Sequence, residues 1–301
     1  MRKYLLVAAT FLLALPALAQ DDLMKMLEDE TKKEKHTDLT TATFKTTRLI
    51  NGHSIENVAT GVLDFKIQHR LGFVNTGLKE FFGLDQATIR LGLDYGISDR
   101  LMVGLGRSSY QKQLDAFYKF KILRQSSGSR NMPISLSAAS SIILRTDPWA
   151  DASRKNYFTS RLYYSHQLII ARKFSESFSL QLMPTMVHHN LVPGANDPNN
   201  LYAMGVGGRI KLSKRVSFNG EYYYQLPGYR FENTKNSVAL GFDIETGGHV
   251  FQLHFTNSTG MTEKTYINET SGDFFKGDIH FGFNISRVFT IKDPRKKKQG
   301  K

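Results

Sequence analysis

The chain has 301 residues, a formal net charge of +13 and no cysteine, which excludes disulfide bonds and a lipid anchor on cysteine. Beyond residue 19 it has no apolar run of the about 20 residues that a helical span requires, so a helical membrane protein is also excluded. Aromatic residues make up 12% of the chain and charged residues 22%, a balance typical of strands with one apolar and one polar face.

The first 19 residues have the three parts of a secretory signal peptide in the usual order. Arg2 and Lys3 precede an apolar run over 4–15, and the small-residue motif Ala-Leu-Ala follows at 17–19. We predict a signal peptide over 1–19 that is cleaved after Ala19. The alternative is an uncleaved anchor helix, for which the apolar run is short. The chain is therefore predicted to be exported.

Residues 20–57 precede the regular part of the pattern. The stretch DDLMKMLEDETKKEKH is rich in charged residues, and Leu23, Met26 and Leu27 form a narrow apolar stripe in it. A weakly alternating strand candidate follows over 42–50. We interpret residues 20–57 as a periplasmic N-terminal extension. Its charged stretch at 21–36 is expected to be a solvated spacer, with a partner-binding helix as the alternative.

From residue 58 onward, apolar and polar residues alternate with the period of a β-strand. In LGLDYGISDRLMVGLG, residues 91–106, the alternation continues on both sides of a tight turn, which predicts an antiparallel hairpin. The same pattern predicts twelve strands over 58–71, 86–97, 101–110, 113–124, 132–145, 157–173, 178–191, 201–213, 216–226, 236–246, 249–258 and 276–290.

The connections between these strands alternate between two kinds. ISDR, KFSES, LSKR and ETGG are tight turns, whereas FVNTGLKEFFGLD and STGMTEKTYINETSG are long and polar; the connection after Tyr110 is short where a long one is expected. Even numbers of strands of about ten residues, joined in this way, are typical of outer-membrane barrels, whereas strands of soluble sandwiches average about half that length. The sequence predicts an all-β fold: a single antiparallel up-and-down transmembrane β-barrel over 58–291. We expect both termini and the tight turns to be periplasmic and the long loops to lie outside.

Three stretches resemble a known family: TFKTTRLINGHSIEN, GVLDFKIQHRLG and GLDYGISDRLMVGLGRS. They are similar to an exported outer-membrane β-barrel family of unknown function found mainly in Bacteroidota, and the resemblance covers most of the mature chain. It implies an outer-membrane location. It implies no catalytic residue.

The polar face of the predicted barrel carries charges of both signs in nearly equal number. The residues predicted to line the lumen are Asp64, Lys66, Arg70, Arg90, Asp94, Lys119, Lys121, Arg161, Glu221, Asp243, His254, Asp278 and His280. A barrel of about twelve strands has a small interior, so opposite charges are expected to pair across it. We therefore expect a narrow channel for small solutes or ions, in contact with outer-membrane lipid.

Two groups of residues could have a chemical function in addition to the passage of solutes. The residues Asp243, Gln252, His254, Asp278 and His280 fall on neighbouring strands and could hold a divalent ion, but mutual hydrogen bonding is the ordinary role of such residues. We predict no metal and no cofactor.

The side chains of Ser160, His188 and Asn190 are predicted to point toward lipid from neighbouring strands, as the catalytic residues of a phospholipase-like hydrolase do. Polar residues are also ordinary where a barrel meets the membrane interface, which explains these three residues without catalysis. We expect no enzymatic activity.

The chain ends in the basic segment KDPRKKKQGK, residues 292–301. Basic runs bind nucleic acid, but an exported barrel has little access to it and no aromatic binding face accompanies the run. We interpret 292–301 as a solvated periplasmic tail, with contact to anionic lipid or to an envelope polymer as the alternative. Three functional classes remain open: a narrow channel, a structural or interaction barrel with a closed lumen, and a hydrolase.

Overall fold

The computed structural model describes residue 24 and residues 36–149 and 151–292; the predicted signal peptide, its cleavage site and most of the basic tail lie outside them. Twelve strands form one closed barrel. They are β1 (Val62–Phe73), β2 (Ala87–Gly96), β3 (Leu101–Ser108), β4 (Leu114–Leu123), β5 (Ser135–Leu144), β6 (Leu162–Lys173), β7 (Phe178–His189), β8 (Asn200–Lys211), β9 (Val216–Gln225), β10 (Ser237–Thr246), β11 (His249–Thr256) and β12 (His280–Thr290). Each pairs antiparallel with its neighbours in the chain, and β12 pairs with β1 to close the barrel.

The predicted fold class is confirmed, because each of the twelve predicted strands corresponds to one barrel strand. The end of the barrel with the tight connections 97–100, 174–177, 212–215 and 247–248 is called the turn end, and the opposite end the loop end. The loop end carries 3₁₀ segments at Val74–Gly83, Tyr110–Lys112, Phe158–Arg161 and Phe274–Lys276. A separate small unit contains the strand Thr37–Leu39 paired with Ser126–Gly128. None of the helices within the described part of the chain has the length and apolar character of a membrane span.

Side chains alternate between the two sides of the barrel wall. Leu91, Leu93 and Leu105 point outward and are 45%, 44% and 62% exposed, whereas Arg90 and Asp94 point inward and are buried. The cause is the period of two along a strand, which places successive side chains on opposite faces. The wall thus has an apolar outer face and a polar inner one, the arrangement of a barrel that meets lipid.

The interior of the barrel is filled by two segments of the same chain. Residues 43–58, called the plug, precede β1 and lie among the inward side chains of the wall, most of them buried. Residues 257–270, called the inner loop, connect β11 to β12 and contain helix α1 (Glu263–Asn268), all of whose residues are buried. The lumen is therefore occupied by protein.

This filling corrects two expectations. The periplasmic extension predicted over 20–57 is wrong for 43–57, which lie inside the barrel, and the long connection at 258–272 is largely buried rather than an outside loop. A segment enclosed by wall on all sides has no single apolar face. It therefore shows neither the strand period nor the helix period on which sequence interpretation depends.

Candidate functional site

The plug folds as a tight hairpin inside the lumen. The Leu49 amide donates to the Gly52 carbonyl oxygen at 2.8 Å, and the Ser54 amide donates to the Thr47 carbonyl oxygen at 3.0 Å. Asn-Gly is a strong hairpin-turn signal, and residues 51–52 are this dipeptide. The tip of the hairpin is tight because a Cβ on Gly52 would lie 2.0 Å from the Tyr223 hydroxyl oxygen.

One carboxylate of the wall holds the tip of this hairpin. Glu221 of β9 accepts hydrogen bonds from three successive backbone amides, those of Ile50 at 3.2 Å, Asn51 at 2.8 Å and Gly52 at 3.2 Å. Amides at a tight turn have no partner within the turn, and buried amides without partners are costly. Glu221 supplies that partner from the barrel wall.

Cations of the wall bind the plug along one side. Lys66 contacts Asp94, Thr47 and Asp64, the last at 2.7 Å between Nζ and Oδ2. Lys119 donates from Nζ to the carbonyl oxygens of Ser54 at 2.8 Å and of Thr47 at 3.3 Å. The charged groups that the sequence placed in the lumen therefore bind the inserted chain as well as each other.

Amides and a guanidinium of the wall bind the tip from the other direction. Arg70 Nη2 donates to the Asn51 side-chain oxygen at 2.7 Å. Gln252 Nε2 donates to the Leu49 carbonyl oxygen at 2.8 Å, and Asn284 Nδ2 donates to the Ile50 carbonyl oxygen at 3.1 Å. The backbone of the tip is thus held by side chains of several strands.

The other side of the plug is apolar. Leu49 and Ile55 belong to a buried cluster with wall residues that include Met183 and Tyr223. The fit against β8 is close, because a Cβ on Gly207 would lie 2.2 Å from Leu49 Cδ2. Burial of a Leu or Ile side chain contributes about 1.5–3 kcal/mol, so this cluster stabilises the filled lumen.

The plug and the inner loop meet at a buried ion pair. Arg48 Nη1 lies 2.9 Å from Glu263 Oε1, and His53 Nε2 lies 3.5 Å from the same oxygen. Ser141 of β5 donates to the other carboxylate oxygen at 3.3 Å. Next to Glu263, burial lowers the pKa of the Lys264 ammonium, and the neighbouring Glu269 carboxylate opposes that shift. The two inserted segments are therefore coupled to each other and to the wall.

Most of the predicted lumen residues lie on the inward face and are buried: Asp64, Lys66, Arg70, Arg90, Asp94, Lys119, Glu221, Asp243, His254 and His280. The Lys121 side chain also points inward, but it is half-buried near the turn end.

Arg161 and Asp278 are corrections. Arg161 lies in the 3₁₀ segment before β6, with its guanidinium 3.7 Å from the ring centroid of Trp149. Asp278 precedes β12 and accepts a hydrogen bond from Asn75 at 2.7 Å. The strands predicted over 157–173 and 276–290 begin earlier than the observed strands β6 and β12.

The residues considered for a metal have separate partners. Asp243 accepts from Gln252 Nε2 at 2.9 Å, whereas His280 contacts the Leu71 carbonyl oxygen at 2.6 Å and the Thr259 hydroxyl at 2.9 Å. Among residues 36–149 and 151–292, no group of three or more histidine, aspartate or glutamate side chains could hold a metal ion.

The residues considered for a hydrolase are also separated. His188 contacts the side-chain oxygens of Asn200 at 2.7 Å and of Asn190 at 3.0 Å, and neither contact involves Ser160. A different serine and histidine do meet on the outer wall, where Ser140 Oγ lies 2.8 Å from His166 Nδ1. This pair is at mid-strand, far from the depth at which lipid esters lie, so its position does not suit lipid hydrolysis.

Sequence reasoning did not single out four residues that hold the plug in place, Arg48, Asn51, Glu263 and Asn284, and it considered Gln252 only for a metal ion. One signal was available, the Asn-Gly dipeptide at 51–52, which indicates a hairpin turn within the predicted periplasmic extension. No comparable signal marks Glu263.

Comparison with known proteins gives one match at the level of families. The model of a family described as "Membrane bound beta barrel domain (DUF5777)" matches residues 44–289, which include almost all of the plug and the barrel. No curated protein sequence matches the chain.

Several solved structures are similar in fold at low identity. A NanC porin has a TM-score of 0.46 and 9% identity, covering 76% of this chain and 98% of its own. A KdgM porin has a TM-score of 0.45 and 8% identity, covering 76% of this chain and 99% of its own. The COG4313 outer membrane channel from Pseudomonas putida F1 has a TM-score of 0.46 and 11% identity, covering 78% of this chain and 98% of its own.

Proposed function

The chain belongs to the membrane-bound β-barrel domain family DUF5777, and from this premise we propose that it is a narrow outer-membrane channel for small solutes or ions whose resting state is closed by the plug. The predicted signal peptide and the apolar outer face support the outer-membrane location. The proposal assigns no catalytic activity and no cofactor. A source in Bacteroidota, implied by the resemblance above, stays a prediction.

One observation carries the proposal: the plug contributes no strand to the barrel. Every wall strand pairs with two other wall strands, and the plug is held by wall side chains such as Glu221 and Gln252. Its removal therefore leaves the backbone hydrogen bonds of the wall intact. A segment held in this way can be displaced without opening the sheet, which is what a gate requires.

The wall that plug displacement would uncover is mixed in charge. Lys66, Asp64 and Asp94 form one cluster of both signs, and Arg90 pairs with Asp115 between Nε and Oδ1 at 2.9 Å. Paired charges of opposite sign give a pore little preference for cations over anions. We expect a small conductance with weak ion selectivity once the plug is displaced.

A barrel that stays closed and serves as a structural or interaction protein is the second candidate. The apolar cluster around Leu49, Ile55 and Tyr223 favours it, because a plug that must leave often does not need a hydrophobic core. The two candidates differ in a single property, which is whether the barrel conducts when the plug is loosened.

The test compares single-channel conductance of the full-length protein with that of a variant lacking 43–57. The channel proposal expects rare, small openings for the full-length protein and steady conductance for the variant. A matched control deletes 193–198, an exposed part of the connection between β7 and β8, and keeps the closed behaviour. Heat-dependent gel mobility shows that each variant retains a folded barrel. A folded 43–57 deletion that does not conduct rejects the channel proposal in favour of the closed barrel.

A further inference from the structure

A pocket lies at the turn end, beside the start of the plug. It has a volume of about 270 Å³. Its lining consists of Ala42, Phe44, Lys45, Lys173, Glu176, Arg209, Lys211, Lys214 and Glu245. Five of these side chains are cationic and two are carboxylates, so the pocket carries an excess of positive charge.

Both carboxylates of the pocket are already paired. Glu245 Oε2 lies 2.6 Å from Lys45 Nζ, and Glu176 Oε1 lies 2.7 Å from Lys173 Nζ. Within the described part of the chain, Arg209, Lys211 and Lys214 have no salt-bridge partner. Three unpaired cations thus face one small space.

Arg209 is the decisive residue, because it is only 4% exposed. Its Nε atom is buried and has no hydrogen-bond partner among the described residues. A buried guanidinium nitrogen without an acceptor is costly, because the N–H group loses its hydrogen bond to water and gains none in exchange. The Asp243 carboxylate attracts Arg209 electrostatically but accepts no hydrogen bond from Nε, and an anion in the pocket would supply that acceptor.

Neutral donors stand beside Arg209 on the inner wall. The strand register places Ser179 of β7 and Asn219 of β9 directly opposite Arg209, and Ser217 opposite Lys211. The two serine hydroxyls are buried without hydrogen-bond partners among the described residues, whereas the Asn219 amide interacts with the Asp243 carboxylate. Asp243, opposite Ser217, accepts a hydrogen bond from Gln252 at 2.9 Å. Guanidinium and ammonium groups in a pocket, with hydroxyl donors on the adjacent strands, are the chemistry of oxyanion binding.

From this arrangement we infer that the turn end contains a binding site for a small phosphate-class oxyanion, with Arg209 as its central ligand and Lys211 and Lys214 at its entrance. The ligand is either free phosphate or the phosphate group of a small monoester, because the pocket is too small for a polymer. The three cations without a salt-bridge partner belong to β8 and the turn that follows it, whereas Phe44 and Lys45 of the plug contribute to the lining of the pocket. The inference does not depend on whether the barrel conducts.

Calorimetric titration of the full-length protein in detergent tests the site, with inorganic phosphate and glycerol 3-phosphate as separate probes at fixed ionic strength in potassium chloride. We expect saturable binding of at least one probe, and the preferred probe identifies the source of the phosphate group. Arg209→Gln is expected to weaken binding about tenfold or more, as loss of a charged hydrogen-bond donor does.

The matched control is Arg215→Gln, an exposed arginine on the turn between β8 and β9 that does not line the pocket. It removes the same charge at the same end of the barrel and is expected to leave the affinity within about twofold. Lys211→Gln, at the edge of the pocket, provides a second weakened variant should Arg209→Gln fail to fold. Absence of saturable binding for both probes, or equal weakening by Arg215→Gln and Arg209→Gln, overturns the inference.

Discussion

Arg48 and Glu263 lie 215 positions apart in the chain and form a buried ion pair inside the barrel, with 2.9 Å between Nη1 and Oε1. Arg48 belongs to the plug, which precedes the first strand, and Glu263 belongs to the inner loop before the last strand. The pair therefore joins two segments that enter the lumen from its opposite ends. Both side chains are only 4% exposed, so each is the main charge partner of the other in a dry setting.

Breaking this pair on one side is expected to be costly. Arg48→Met leaves the Glu263 carboxylate buried without its partner, and the free energy of unfolding should fall by about 3–5 kcal/mol. The double variant Arg48→Met with Glu263→Met removes both charges and should recover much of that loss. Urea unfolding in lipid vesicles measures each free energy. Equal losses in the single and double variants would show that the two residues are not coupled.

Replacing the Glu221 carboxylate should loosen the tip of the plug. Glu221→Gln substitutes an amide nitrogen for one oxygen, so at least one of the three backbone amides loses its acceptor, at a cost of about 1–3 kcal/mol. Hydrogen exchange over 49–53 should become faster, while exchange in the wall strands stays unchanged. Glu232→Gln, at an exposed position in the connection between β9 and β10, is the matched control and should leave 49–53 protected. Protection that survives in Glu221→Gln would contradict the assigned role.

The charged side of the lumen should control leakage through the barrel. Lys66→Ala together with Arg90→Ala removes two long side chains, one of which binds Thr47 of the plug. Conductance in planar bilayers should rise, because the plug is held less firmly and the lumen is wider. The double variant Lys79→Ala with Lys276→Ala removes two exposed charges outside the lumen and should conduct like the unaltered protein. An equal rise in both double variants would point to net charge rather than to the lumen.

Apolar substitutions on the outer face should be tolerated, whereas charged substitutions should destabilise the barrel. Leu91→Arg places a cation near mid-strand on the lipid-facing side, and the expected cost is about 2–4 kcal/mol. Leu91→Phe keeps the face apolar and should cost little. The fraction of folded, heat-modifiable barrel after refolding into vesicles compares the two. Similar yields for Leu91→Arg and Leu91→Phe would mean that this face does not meet lipid.

The sequence by itself determined the wall of this protein. Alternation with a period of two is a local property, so β2 and β3 could be placed from residues 91–106 alone, and the same holds for the other ten strands. The inward facing of Lys66, Arg90 and Asp94 follows from the same period. The two residues wrongly predicted to line the lumen, Arg161 and Asp278, lie just before strands begin. There the alternation does not yet define which way a side chain points.

Only the tertiary structure decided what occupies the lumen. The plug and the inner loop contact different strands on different sides. The order of polar and apolar residues in them therefore matches the wall residues that they contact and shows neither the strand period nor the helix period. The Asn-Gly turn at 51–52 could be predicted, but its acceptor Glu221 lies about 170 positions away, and the partner of Arg48 is 215 positions away. Likewise, Arg209 gains its neighbours Ser179 and Asn219 through strand register. Contacts of this range depend on closure of the barrel, which brings strands from the two ends of the chain together.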